Sequence, residues 1–284
     1  MTRMQDHPVL LVLGAVLSVQ FGGALAATLL PLVGVFGSVL LRILLAAVIM
    51  LAVVRPRWRG RSREDWVTVT VFALALTAMN LCFYASLERL PIGVAVTIEF
   101  LGPLLLAAVT SRRARDGLAV LLALLGVILI SQALTVPWAD MDFFGIGLAA
   151  AAGGFWAAYI VLSGRTGTRF EGLDGMAIAL VIGAVAMLPL GVLGAGAALL
   201  DGEVLLRGLG IALLSSAIPY SLELLALRRL SAGVFGVLLS LEPAAAALAG
   251  LLVLSQTLAP VQVLGMVMVV SASVVVLGRR SRGT

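Results

Sequence analysis

Four ionisable side chains lie inside long apolar runs of this 284-residue chain: Arg42, Glu99, Glu223 and Glu242. A charge at the centre of a membrane-spanning helix costs about 2.5–3.5 kcal/mol on insertion scales, so such residues face a cavity or a partner rather than lipid. Glu99 stands in Val96-Thr97-Ile98-Glu99-Phe100-Leu101-Gly102-Pro103, and Glu242 stands directly before Pro243. Pro103 cannot donate the backbone bond that closes the helical turn at Glu99, which predicts a kink there and an open Glu99 carbonyl. Pro243 disfavours helical geometry at Glu242. Two acids, each beside a proline, suit a central cavity where a carboxylate binds a cation, an ammonium group or a proton. The alternative is a protonated, structural glutamate bonded between helices. Arg42 keeps its charge at any ordinary pH. It either docks a substrate carboxylate or forms a structural ion pair with Glu99 or another acid.

Uncharged polar residues accompany these four. Ser216, Tyr220 and Glu223 follow i, i+4, i+7 spacing and make one polar stripe on a helix. Asn80 and Tyr84 share a face in the same way, Gln20 faces the middle of the first apolar run, and Trp156 lies in the sixth. Converging on one cavity, they form a polar pocket; acting singly, they are interhelical glue.

The elements that must position these residues are membrane spans. Hydrophobic residues make up 62% of the chain and charged ones only 12%, against about 25% charged in a soluble domain. The mean hydropathy is +1.16. A soluble fold cannot hide that much apolar surface. The sequence pI is about 10.6, but the net charge is only +5 and every basic residue is arginine. These arginines sit in short clusters between apolar runs, which speaks for membrane topology and against nucleic acid. Cys82 is the single cysteine and His7 the single histidine. No disulfide, cysteine metal site or intramembrane Ser-His-Asp triad follows, no cofactor is expected, and an enzyme is disfavoured. The absence of a G-x-x-x-x-G-K-[ST] string argues against ATP as the driving force.

A bilayer span needs about 20 apolar residues. Ten candidates read along the chain, near 9–29, 32–54, 66–87, 92–110, 117–136, 143–163, 175–195, 204–226, 232–254 and 260–278. With a cytoplasmic N-terminus, 16 of the 19 arginines fall on cytoplasmic segments, as the positive-inside rule requires. Both termini are then cytoplasmic. A competing reading takes Arg3, the first apolar run and Ala24-Leu25-Ala26 as a signal peptide; we expect retention as the first span.

An internal repeat divides the chain. Arg89-Leu90-Pro91-Ile92-Gly93-Val94 and Arg229-Leu230-Ser231-Ala232-Gly233-Val234 share R-L-x-x-G-V 140 residues apart, and the same offset relates Pro103 to Pro243. Five spans separate equivalent points, and five is odd, so the halves insert in opposite directions. The expected fold is an all-α membrane protein of ten transmembrane helices in two inverted five-helix repeats, residues 1–138 and 139–284. The alternative is chance similarity between biased helices.

Several strings then carry a resemblance. They are Met79-Asn80-Leu81-Cys82-Phe83-Tyr84, Gly93-Val94-Ala95-Val96 with Glu99-Phe100 and Gly102-Pro103, Ser111-Arg112-Arg113, Pro219-Tyr220-Ser221-Leu222-Glu223, Phe235-Gly236 and Leu241-Glu242-Pro243-Ala244. Over essentially the whole chain these resemble the amino-acid exporter group in the ten-span EamA-type branch of the drug/metabolite transporter superfamily. The resemblance implies an inner-membrane carrier that exports small neutral amino acids such as threonine and homoserine by proton exchange. Its partners would be a zwitterionic substrate, a proton and the lipid bilayer. Glu99 or Glu242 would take the ammonium group; Arg42, a helix N-terminus, or Tyr and Asn donors would take the carboxylate. An exporter of drugs or hydrophobic metabolites on the same fold is the alternative.

Overall fold

A computed structural model describes residues 8–110, 114–131, 133–135, 137, 142–245 and 259–277, and among these there is no strand. The helices are α1 (Pro8–Val54), α2 (Arg63–Leu87), α3 (Ile92–Thr110), α4 (Ala114–Ser131), α5 (Phe143–Arg169), α6 (Asp174–Ala195), α7 (Gly202–Ala212), α8 (Ile218–Leu227), α9 (Ala232–Leu239) and α10 (Pro260–Leu277). A π-helical turn, Leu213–Ala217, joins α7 to α8. Five described helices are long and apolar enough to cross a membrane, starting at Thr28, Arg63, Phe143, Asp174 and Gly202. Five shorter apolar ones, including Pro8–Gly23 and Pro260–Val275, fill the other expected spans. The expected ninth span continues beyond residue 245, outside the described residues.

Two sequence expectations shift in detail. The first two apolar runs form one element, α1, broken at Gly34 (φ 63°, ψ −174°) rather than at residues 30–31. Pro31 denies the turn a donor three residues earlier, and glycine alone adopts that positive φ without steric cost. In contrast, α3 runs through Pro103 without a break. The Glu99 carbonyl is not open; it packs on Gly153, where an added Cβ would come within 2.6 Å of it.

The chain forms two compact units, one of residues 1–84 and 158–229, the other of 85–157 and 230–284. They are not the two sequence halves, because each unit draws on both. Within each unit, helices 140 residues apart pack side by side. In the first, Phe36, Leu40 and Ile43 of α1 lie against Gly194, Gly191 and Gly183 of α6 in turn. In the second, Pro103 and Thr110 of α3 lie against Gly236 and Gly233 of α9, and Gly126 and Ile130 of α4 against Gly265 of α10. Rising numbers on one helix meet falling numbers on the other, so these pairs run antiparallel. The two R-L-x-x-G-V strings adopt the same turn: Arg89 N–H donates to the Ser86 carbonyl at 3.0 Å and Arg229 N–H to that of Ala226 at 2.9 Å.

Polar groups fix the helix ends. Ser62 and Asp65 exchange bonds at the start of α2, side chain to backbone in each direction (3.0 and 3.1 Å), a reciprocal cap. Arg169 reaches Glu64 at 2.7 Å and Asp65 at 3.1 Å, and Arg61 reaches Asp174 at 2.8 Å. Asp142 caps α5, accepting from Phe144 and Gly145 N–H at 2.8 and 3.0 Å, while Arg89 lies 2.9 Å away. The Gly145 bond first and the Arg89 side chain next hold the Asp142 carboxyl below the usual carboxylate range. A depressed folded value means that its stabilisation is complete above the unfolded value and lost as pH falls through the folded one. Melting temperatures of wild type and Asp142→Ala are expected to differ at neutral pH and to converge well below about pH 4.

Candidate substrate site

Five of the singled-out residues meet inside the first unit. Arg42, in the second half of α1, donates from Nε to Ser216 Oγ at 2.8 Å. Its Nη2 donates to the Ser215 carbonyl at 2.5 Å and to Tyr220 OH at 2.9 Å. Its Nη1 approaches Tyr84 OH at 3.4 Å. Asn80 Nδ2 donates to Tyr220 OH at 2.9 Å and to the Leu76 carbonyl at 2.8 Å. The guanidinium also lies 5.6 Å from the Tyr220 ring centre and 5.9 Å from that of Tyr84, within cation–π range. Asn80, Tyr84, Ser216 and Tyr220 are buried, and Arg42 is half-buried.

Local sequence explains how a carbonyl joins this group. Pro219 has no N–H, so neither the α-helical bond to Ser215 nor the π-type bond to Leu214 can form from it. The backbone widens instead, Ile218 N–H reaching back five residues to the Leu213 carbonyl. Both released carbonyls find side chains: Ser18 Oγ donates to Leu214 at 2.7 Å, and Arg42 takes Ser215. Gly22 makes this approach possible, since an added Cβ there would run into the Ser215 hydroxyl. A π-turn at a polar site is a recurrent functional device.

The cluster is built to meet an anion. Ser216 Oγ accepts from Arg42 and keeps its own proton, while Tyr220 OH approaches Asn80 Oδ1 at 3.3 Å as donor, so arginine, serine and the tyrosine–asparagine pair form one polar group. An arginine with such partners matches a planar carboxylate.

The remaining candidates sit elsewhere. Glu223 is buried on α8, one turn past Tyr220, and Tyr159 OH donates to its Oε2 at 2.8 Å. Tyr159, absent from the sequence candidates, stacks between Phe72 and Tyr220, with ring centres 5.5 and 5.6 Å away. Gln20 is half-buried on the first half of α1. In the second unit, Glu99 is buried on α3, Trp156 meets Phe100 edge to face at 4.9 Å, and Glu242 is half-buried beside buried Pro243. Among the described residues no group of three His, Cys, Asp or Glu could hold a metal ion.

Residues 143–278 match the model of the EamA-like transporter family. The threonine/homoserine exporter RhtA of Salmonella typhimurium (strain SL1344) is 40% identical over 267 residues, covering 94% of this chain and 90% of the relative. RhtA of Escherichia coli (strain K12) matches to the same extent. The chain belongs to the EamA-like transporter family. A solved crystal structure, at 18% identity, superposes with a TM-score of 0.80 over 98% of this chain and 99% of its own, which shows a shared fold. Membership makes this EamA-like protein a multi-pass membrane protein, and its relatives are named as exporters rather than enzymes. In this EamA-like chain the arginine cluster takes in Ser216 and Tyr220 of the polar stripe that the sequence predicted, with the Ser215 carbonyl as an addition.

Proposed function

We propose that this protein is an inner-membrane exporter of small neutral amino acids of the threonine/homoserine kind, working by proton antiport with alternating access. The observation that carries the reading is the intramembrane Arg42, donating to hydroxyls in a chain 40% identical to exporters named for threonine and homoserine. A zwitterion leaving water loses the hydration of both charges, so its site must partner each. Arg42, with Tyr84, Tyr220 and Asn80, receives the carboxylate. A span acid receives the ammonium group; Glu99, Glu223 and Glu242 are the candidates, with Gln20 and Trp156 as further lining residues. A proton and an ammonium group cannot share one carboxylate, and this exclusion couples their opposite movements.

Alternating access fits the repeat. Antiparallel packing of helices 140 residues apart, with Asn80 and Tyr220 bonded at that same separation, supports two inverted five-helix repeats over 1–138 and 139–284. Such repeats rock about a fixed midplane site. Both termini lie in the cytoplasm on this reading. The charged and hydrogen-bonding character of the Arg42 cluster favours a zwitterion over a hydrophobic drug. The test is flux of labelled threonine and homoserine in proteoliposomes, with and without an imposed pH gradient. Uptake or exchange that the gradient accelerates is expected. Absence of flux for every neutral amino acid would exclude the reading.

A further inference from the structure

Glu223 is a buried carboxylate with one hydrogen-bond donor, Tyr159, among the described residues. A carboxylate offers about four acceptor positions, so one donor leaves it short of partners in a medium where shortage is costly. It sits at the end of a continuous chain of contacts: Arg42 bonds Tyr220, the Tyr220 ring meets Tyr159, and Tyr159 bonds Glu223. A cation, Arg42, and an acid, Glu223, are thus linked through contacts within one compact unit.

Tyr159 also begins a second line of polar groups. Ser163 and Thr166 follow it on α5 at i+4 and i+7, on the same helix face. Both are fully buried, and neither Oγ has a hydrogen-bond partner. Ser163 stands one turn beyond Tyr159 on that face. The Thr166 methyl packs against Gly175, but packing gives neither buried hydroxyl a bond. Beyond Thr166 the helix ends at exposed Arg169, paired with Glu64 and Asp65.

We propose that Glu223, positioned by Tyr159, binds the substrate ammonium group and the coupling proton in alternation, and that Ser163 and Thr166 conduct that proton to the Arg169 end of α5. This deepens, and rests on, the exporter reading. With substrate bound, charged Glu223 holds the ammonium and Arg42 the carboxylate. After reorientation the substrate leaves intact, and one proton from the opposite side forms an O–H bond on Glu223. On return that proton passes along the hydroxyls to the Arg169 side. One proton moves in for each zwitterion moved out, so the cycle carries one positive charge inward. The titratable and charged groups facing Glu223 are Arg42 from α1, Tyr159 from α5 and Tyr220 from its own helix, and Tyr84 from α2 faces Tyr220 and Arg42. From α6 the single charged residue is Asp174, already paired with Arg61.

The test uses the full-length protein in proteoliposomes with labelled threonine. E223Q is expected to lose the pH-gradient response of flux completely, whereas E99Q keeps such a response whatever its rate. T166V is expected to lower proton-driven net flux about 10-fold more than it lowers threonine–threonine exchange, which needs no net proton movement. Should E223Q fail to fold, Y159F decides: losing the donor to the carboxylate displaces the pH profile of exchange upward. A wild-type pH response in E223Q together with its loss in E99Q overturns the assignment and leaves the exporter reading intact. An unshifted profile in Y159F likewise overturns it. Failure of the exporter reading itself is distinguishable, because wild type then moves no amino acid.

Discussion

Replacing Arg42 with glutamine is expected to lower threonine exchange by two orders of magnitude or more in proteoliposomes. Arg42 is the cation of a cluster that otherwise contains hydroxyls, an amide and a backbone carbonyl. A hydrogen bond to a charged group contributes about 1.5–3 kcal/mol, and a carboxylate held by two of them loses roughly 3–6 kcal/mol when the guanidinium goes, or a factor of about 100 or more. Lysine is expected to rescue only part of this. A point charge on a flexible stem cannot hold Ser216, the Ser215 carbonyl and Tyr220 at once as the planar fork does. The counterflow rate, normalised to inserted protein, checks both variants. Wild-type rates in the glutamine variant would show that the cluster is structural.

The largest effect on assembly is expected at Gly102 and Gly153. A Cβ on Gly102 would overlap the Gly153 carbonyl, and one on Gly153 would press on the Glu99 carbonyl and Cα. These obstacles are backbone atoms, which cannot turn aside as a side chain can. Membrane helices approach this closely only where both surfaces are small, because lipid offers no hydrophobic drive to hold them together otherwise. Overpacking usually costs about 1–3 kcal/mol, and leucine at either position adds several methylenes against rigid atoms. Gly102→Leu or Gly153→Leu is therefore expected to leave under about a tenth of the wild-type yield of monodisperse protein, since the loss approaches the whole margin of stability. Size-exclusion profiles of detergent-solubilised variants report it. By contrast, Gly23 has open space around it, and Gly23→Ala is the matched control.

The ten apolar segments, the arginine-rich loops and the 140-residue offset are legible from the sequence because they are one-dimensional: they depend on composition and period. The Arg42 cluster is legible only in part. Asn80, Tyr84, Ser216 and Tyr220 announce themselves as polar residues in apolar runs, yet which of them meet depends on helix rotation and crossing, which periodicity does not set. That Arg42 takes hydroxyls and a carbonyl is likewise a three-dimensional fact. The Ser215 carbonyl does leave a signal in the sequence. Pro219 deprives it of a helical donor by the same logic that sequence reading applied to Pro103 and Glu99. Tyr159 left none, since one tyrosine in a helix reads as packing. At Pro103 the helix continues unbroken, and the Glu99 carbonyl that the proline leaves without its helical donor packs against Gly153.

The most direct measurement compares threonine with 1-aminopropan-2-ol, the same molecule without its carboxylate, as competitors of labelled homoserine exchange. If Arg42 receives the carboxylate, threonine competes at least about 100-fold better in wild type, and the preference collapses in Arg42→Gln. Equal competition by the two compounds in wild type, or an undiminished preference in Arg42→Gln, would contradict it.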